Sequence, residues 1–378
     1  MSSTNPAPET EPKAPLIGVL GAGQLGRMLA LSGHNLGLRF LFVDPAEHPP
    51  AACLGEHLKL DYSSPAAIAR LSACDVVTYE FENVPVAPAE QLATLTTVFP
   101  PVNALAIAQD RLHEKTCFQE LGIPTPAFFN VESEAELRTA LAAVGFPAVL
   151  KTRRLGYDGR GQAVLRTDAD ATRAYAELGS APLLLESFVP FERELSLIGA
   201  RARDGSTRFY PLFENHHEGG ILRLTLAPAP DISPDRQRAA EGYMTALFDR
   251  LGYVGVLTLE LFQASGRLVA NEIAPRVHNS GHLTIEAAHT SQFEQHLRAI
   301  LGLPLGSSEL LGPSAMLNAI GRLPEAADVL RIPDAHLHAY GKAPRSGRKV
   351  GHVTVRAPDW ATLAERLSIL KPMIWSPP

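Results

Sequence analysis

The sequence predicts a mixed α/β and α+β protein in three parts: a doubly wound parallel domain, an α+β domain and a small β-rich domain. Three observations predict it. The first apolar strand runs into Gly21-Ala22-Gly23-Gln24-Leu25-Gly26 and a helix, with further apolar strands behind it. The middle of the chain alternates apolar and polar residues around tight turns such as Asp204-Gly205-Ser206 and Ala264-Ser265-Gly266. The last part sets short apolar strands around a basic turn, KAPRSGRKVGH. Strand–helix–strand order favours parallel pairing, and strands joined by tight turns favour antiparallel pairing.

Taken in order, residues 16–20 read as a strand. A helix follows from Arg27, with Met28, Leu29, Leu31 and Leu36 on or near one face. Strands over 39–43 and 75–79 end at Asp44 and Glu80. One helix is predicted over 103–121, ended by Gly122-Ile123-Pro124-Thr125-Pro126, and another over 132–144, closed by Gly145-Phe146-Pro147. Next come a strand ending at Lys151, a glycine-rich basic loop and a second strand. A helix near 169–178 and strands over 183–186, 194–202 and 207–212 follow. A hairpin then pairs 256–262 with a return strand carrying Leu268, Ala270 and Glu272. Strands over 315–320, 336–340 and 353–356 and a helix near 360–370 close the chain. The expected domains are 15–112, 113–310 (with a flap subdomain at about 148–214) and 311–378. Residues 1–14 are polar and proline-rich, and they read as a disordered tail rather than a signal peptide.

Composition narrows the function classes. Apolar residues make up 46% of the 378, enough for two or three cores, and charged residues 20%, as in ordinary soluble proteins. A net charge of -6 argues against a nucleic-acid coat. No apolar run is long enough to span a membrane. Cys53, Cys74 and Cys117 are scattered, with no paired spacing, as expected of free thiols in a reducing cytoplasm.

Four motifs carry chemistry. The glycine turn at 21–26, with Asp44 after the next strand, has the form of a dinucleotide fingerprint, but such a turn also serves plain helix–strand packing. The stretch AVLKTRRLGYDGRGQAV is more specific. Lys151 ends a strand, where its ammonium can meet a phosphate. Gly156, Gly159 and Gly161 let loop amides face phosphate oxygens, and Arg153, Arg154 and Arg160 add positive charge. The alternative is a solvated basic hairpin loop. In the later hairpin, Leu257, Leu259 and Leu261 face one way and Thr258 and Glu260 the other. Glu260 and Glu272 then fall about level on adjacent strands. Two such carboxylates repel unless a proton or cation lies between them, and with Asn271 they form a hard-oxygen set suited to magnesium. Surface glutamates are the plainer reading. The basic C-terminal turn with Lys342, Arg345, Arg348 and Lys349 is too short for nucleic acid and suits one phosphomonoester, or else it is a solvated loop. Glu186, Glu194, His216 and His217 stay ambiguous on these grounds.

The strings GAGQLGRML, EFENV, KTRRLGYDGRGQ, YVGVLTLELF, NEIAPRVHNSGH, SQFEQHLRAI and GRKVGH, in this order from about Pro15 onward, resemble the N5-carboxyaminoimidazole ribonucleotide synthetase family of purine biosynthesis. The resemblance implies the ATP-grasp fold with an N-terminal Rossmann-like pre-ATP-grasp domain and a small C-terminal β-rich domain. It also implies a ligase reaction. ATP and bicarbonate give carboxyphosphate, which carboxylates the exocyclic amine of 5-aminoimidazole ribonucleotide. The implied cofactors are ATP and magnesium, with manganese as a substitute. The implied partners are the two substrates, a second copy in a homodimer, and an N5-carboxyaminoimidazole ribonucleotide mutase that takes the product.

The resemblance further implies roles. Arg111 and Lys151 contact ATP phosphates under a flap of Gly156, Tyr157, Asp158, Gly159, Arg160, Gly161 and Gln162. Glu186, Ser187, Phe188 and Val189 form the adenine shelf, Glu194 takes the ribose, and His217 and Asn271 make further nucleotide contacts. Glu260 and Glu272 hold the metal. Gln24, Leu25, Glu80 and Asn279 face the ribonucleotide, whose 5′-phosphate is held by Lys342, Arg348 and Lys349. Arg276 stabilises carboxyphosphate, and Tyr157, Asp158, Arg160, Lys151 and His278 complete the catalytic set. The related formate-dependent glycinamide ribonucleotide transformylase is disfavoured by Gln24 and Asn279, where it tends to carry glutamate and aspartate. Biotin carboxylase is longer and lacks the HNSGH string. A nicotinamide dehydrogenase has no use for the Glu260/Glu272 hairpin, and a non-catalytic nucleotide sensor has no need of all these parts together.

Overall fold

Four parallel strands organise the N-terminal third. The computed structural model describes residues 14–156 and 160–375. The strands lie in the order Glu56–Leu58, Arg39–Val43, Leu16–Leu20, Val76–Tyr79. Ile17, Val19, Leu41 and Val77 are fully buried between helices on both faces, as parallel strands require. The helix after the glycine turn spans Gln24–His34, three residues earlier than expected. Its N-cap is Gly23, which has no side chain to cap with. Glu80 supplies the missing acceptor from the neighbouring strand: its carboxylate accepts from the Gly23 N–H at 2.5 Å and the Gly26 N–H at 2.7 Å.

The helix expected over 103–121 is two helices, Val102–Ala108 and Arg111–Glu120. Asp110 breaks them. It takes an extended conformation, and its side chain accepts from the Leu112 N–H at 3.1 Å. A four-stranded antiparallel sheet follows, ordered Phe128–Val131, Leu183–Ser187, Ala148–Thr152, Gln162–Leu165. Helices Glu134–Val144 and Asp168–Leu178 cover it.

The third sheet runs Arg267–Ala274, Gly255–Ala264, Arg193–Arg201, Phe213–Glu218, Ile221–Ala227, Ser314–Ile320, Lys349–Arg356, Ala335–Ala339, with Thr207–Phe209 attached to Arg193–Arg201. The C-terminal strands therefore continue the sheet of the middle region. The hairpin Phe213–Glu218/Ile221–Ala227 and the helix Pro234–Leu251 lie outside the elements expected from sequence. A register shift at His216/His217 disturbs that hairpin's alternation.

A second register shift matters more. Ala264 pairs with Arg267 and Leu261 with Ala270, yet Glu260 pairs with Glu272. One extra residue, Asn271, is therefore accommodated in the return strand as a β-bulge. Strict alternation would have opposed Glu272 to Leu259, in the core. With the bulge, Leu268, Ala270 and Ile273 enter the core beside Leu257, Leu259 and Leu261, and Glu272 joins Glu260 on the other face. No helix among the described residues is long and apolar enough to cross a membrane. The expected tail, apart from Ala14, lies outside the described residues.

Candidate active site

A cleft of about 580 Å³ lies where the three sheets approach one another. The flap sheet contributes Val149, Lys151, Gln162, Val164 and Glu186 through Val189. The large sheet contributes Glu194, His217, Glu260, Phe262, Asn271 and Glu272. The segment after it adds Arg276, His278, Asn279 and His282. Gln24, Leu25, Phe81 and Glu82 come from the N-terminal domain, Arg111 from the next helix and Lys349 from the C-terminal strands. Gly156 and Arg160 border the cleft, while Tyr157, Asp158 and Gly159 lie outside the described residues.

Each carboxylate on the cleft meets an arginine, lysine or histidine side chain. Arg111 donates to Glu272 at 3.0 Å. His278 Nε2 lies 3.0 Å from Glu260, and its Nδ1 meets the Ser280 hydroxyl at 2.9 Å. Burial pushes Glu260 up, but His278, then His217 and Arg276, outweigh it and hold its pKa at about 2. Glu82 pairs with Arg276, which overcomes burial and again holds the acid at about 2. The same groups fix Arg276 as a cation: burial opposes its charge, while Glu82, Glu260 and Glu272 favour it. Glu194 pairs with His217 and raises that imidazole's pKa against the effect of burial.

Glu186 is placed differently from the expected contact on the adenine shelf. It is 3% exposed, and its carboxylate lies 2.8 Å from Lys151 and 3.4 Å from Lys115. These lysines outweigh burial and hold it at about 2. Its side chain thus fixes Lys151, and only its backbone and the following residues remain to form a shelf. Phe191 stacks on Phe262 at 4.7 Å beside that shelf, an apolar wall well suited to a base. Neither aromatic was singled out from sequence, because they lie far apart in the chain and only the fold brings them together.

Two other expectations change. Arg153 and Arg154, read as part of the phosphate-facing flap, turn to Asp110 at 2.7 and 3.2 Å. Burial raises Asp110, but Arg153 outweighs it and lowers the pKa. Glu80 lies behind the glycine turn, bound to backbone amides, and Glu82 reaches the cleft instead. Burial raises the Glu80 pKa against those amides.

The flap glycines are needed where contacts are close. A Cβ on Gly156 would lie 2.9 Å from the Arg111 guanidinium. Gly161 has φ +70, and its Cβ would lie 2.6 Å from the Thr152 hydroxyl. Lys342 donates to Gln24, which lines the cleft, and so joins the C-terminal turn to the first domain. Arg348 donates to the Ala343 carbonyl at 3.4 Å. Both polar atoms of the Asn279 side-chain amide are buried with no protein partner. Such a group, bordering a cleft, is what a polar ligand satisfies.

Comparison with known proteins agrees with this architecture. Residues 15–109 match the ribonucleotide synthetase preATP-grasp domain, 116–293 the ATP-grasp domain, and 314–366 the phosphoribosylaminoimidazole carboxylase C-terminal domain. The chain is 55% identical to N5-carboxyaminoimidazole ribonucleotide synthase of Pseudomonas aeruginosa, over 95% of this chain and 99% of that one. The crystal structure of N5-carboxyaminoimidazole ribonucleotide synthetase from Thermus thermophilus superposes with a TM-score of 0.92 at 53% identity, covering 96% of this chain and 99% of that one. The Aspergillus clavatus synthase in complex with ADP and 5-aminoimidazole ribonucleotide superposes with a TM-score of 0.87 at 33% identity, covering 96% and 98% of the two chains. With three consecutive domain matches and relatives this similar over nearly their whole length, the chain belongs to the N5-carboxyaminoimidazole ribonucleotide synthase family of ATP-grasp enzymes.

Proposed function

We propose that this protein uses ATP to carboxylate 5-aminoimidazole ribonucleotide with bicarbonate, forming N5-carboxyaminoimidazole ribonucleotide, ADP and phosphate in purine biosynthesis. One observation carries the reading: a single cleft is lined by Lys151 and Arg111 with the paired carboxylates Glu260 and Glu272, and also by Asn279, Lys349 and Gln24, which Lys342 contacts. That is a donor site for a triphosphate next to an acceptor site for a polar phosphorylated molecule. The Aspergillus clavatus relative holding ADP and 5-aminoimidazole ribonucleotide together supports the same division.

Bicarbonate is a weak electrophile. A bicarbonate oxygen attacks the γ-phosphorus, ADP leaves, and carboxyphosphate results. The neutral exocyclic amine then attacks the carboxyl carbon, either directly or after release as carbon dioxide, and phosphate departs, taking up the proton the amine loses. Arg111 and Lys151 neutralise the phosphates in this account. Gly156, Arg160 and Gln162 border the cleft beside them, as parts of the flap that in this reading excludes water from the acyl phosphate. Arg276, kept cationic by three acids, stabilises the carboxyphosphate. His278 orients Glu260, and Asn279 meets the ribonucleotide.

Glu260 and Glu272 fit a divalent cation. They are directly opposed on one face of the hairpin, and with Asn271 they offer carboxylate and amide oxygens. These residues would hold magnesium, or manganese in its place, which neutralises charge on the phosphates. The homodimer and the hand-off of the labile carbamate to an N5-carboxyaminoimidazole ribonucleotide mutase rest on the family. The free thiols of Cys53, Cys74 and Cys117 suit a reducing cytoplasm.

Carbon-13 NMR tests the reaction. With labelled bicarbonate, ATP and the ribonucleotide, the label is expected in a carbamate, one per ADP. Formate supplied with glycinamide ribonucleotide is expected to give no formyl product, and its appearance would replace the proposal with the transformylase.

A further inference from the structure

The bulge that brings Glu272 level with Glu260 leaves irregular backbone groups on the open edge of the return strand. Two adjacent residues of the helix Arg111–Glu120 take up those at 271 and 273, beside Thr125, whose hydroxyl donates to the Ala270 carbonyl at 3.2 Å. Lys115 Nζ donates to the Asn271 carbonyl at 2.7 Å and approaches the Ala270 carbonyl at 3.4 Å. Glu114 Oε1 accepts from the Ile273 N–H at 2.6 Å. These side chains are 1% and 2% exposed, so both contacts form away from water. Lys115 also lies 3.4 Å from Glu186, whose other oxygen holds Lys151.

We propose that Glu114 and Lys115 form a clamp that fixes the Asn271 bulge, and so sets which face of the hairpin Glu272 presents to the nucleotide-bound cation. They are positioning residues and touch no substrate in this account. The argument is one of parity. Without the extra residue Glu272 opposes Leu259 in the core; with it, Glu272 opposes Glu260. A bulge leaves the ladder locally unpaired, and buried unpaired backbone groups are unfavourable, so an irregular edge in the interior needs partners of its own. A lysine supplies donors for carbonyls and an adjacent acid supplies the acceptor for the amide. The contact with the Ile273 N–H needs only an oxygen acceptor at this position, which glutamine also provides.

The inference rests on reading Glu260 and Glu272 as metal ligands. The test is Mn2+ binding to the full-length protein in the presence of ADP, followed by electron paramagnetic resonance. Lys115→Met and Glu114→Ala are each expected to weaken Mn2+ binding by ~10–100-fold, the range for residues that support metal ligands. Glu114→Gln, whose amide oxygen can still accept from Ile273, is expected to bind within about threefold of the parent. Binding of 5-aminoimidazole ribonucleotide alone is expected to stay unchanged in all three. If Lys115→Met fails to fold, the Glu114→Ala and Glu114→Gln comparison decides. Glu272→Gln separates the two levels of the claim. If it abolishes Mn2+ binding while Glu114→Ala retains full affinity, the clamp is wrong and the metal reading stands. If Glu272→Gln itself retains full affinity, the metal reading is wrong.

Discussion

Glu272 has two roles to reconcile. Arg111 holds its carboxylate at 3.0 Å, yet the side chain remains 40% exposed to the cleft. Replacing it with glutamine keeps the shape and removes the charge. Glu272→Gln is therefore expected to lower turnover at least ~100-fold, with a melting temperature close to that of the parent; near-normal turnover would remove it from the metal site. Lys349 also borders the cleft. Loss of a charge-assisted phosphate contact is worth about 1.5–3 kcal/mol, so Lys349→Ala is expected to raise the ribonucleotide KM roughly 10–100-fold with little change in the ATP KM. An unaltered ribonucleotide KM would exclude it from phosphate binding. Lys151 and Glu260 stand out in the sequence as polar residues of apolar strands, and Glu272 as an acid on the return strand, although strict counting sets it opposite Leu259. Lys115, Glu114, Glu82 and Asp110 do not stand out. Each acts on a residue far along the chain, and on a helix or loop such side chains look like ordinary surface charges.

At the level of elements, the glycine turn shows how one carboxylate replaces a missing cap. Glu80 is 6% exposed and serves two amides of a helix whose own N-cap is glycine. Glu80→Ala is expected to destabilise the protein by about 1–3 kcal/mol, read as a lower urea midpoint with an unchanged slope. No change in midpoint would mean that water satisfies the turn. The hairpin of Glu260 and Glu272 was readable as a pair of strands but not as a bulged pair, since counting from a tight turn assumes perfect alternation. The spacing of Leu268, Ala270 and Ile273 held the signal: two residues, then three. The helix expected over 103–121 failed at Gln109-Asp110 for a similar reason, because helical periodicity outlasts a two-residue break when the cap is a polar residue inside the repeat. Pro234–Leu251 carried a visible start, Ser233 capping Arg236 ahead of Pro234, and a visible stop at Gly252. It was hidden by a mostly polar exposed face.

Over the whole molecule, charge and burial set the pH dependence. Glu82, Glu186 and Glu260 sit at about 2, below the ordinary 4.5. Acids with depressed values contribute stability that is complete above about 4.5 and lost as pH falls towards 2. Glu114, raised from 4.5 to about 8, works in the other sense: its contribution is complete below 4.5 and lost as pH rises through 8. Urea midpoints are therefore expected to peak near pH ~5 and fall on both sides. Glu114→Gln should flatten the alkaline limb and Glu82→Gln the acid limb; limbs unchanged in both variants would show that other groups govern them. The three-part order was legible because strand–helix alternation, antiparallel turns and a basic terminal turn follow one another along the chain. The continuity of the C-terminal strands with the middle sheet was not, since it depends on Ser314–Ile320 pairing with Ile221–Ala227, a strand hidden by its partner's irregular register.

The most direct test of the account is phosphate release from ATP in buffer freed of carbon dioxide, with 5-aminoimidazole ribonucleotide present and bicarbonate added or withheld. Rapid release only when both are present is the predicted result. Equal release without bicarbonate, or none with both, would contradict the claim that this cleft spends a triphosphate to activate bicarbonate for an amine.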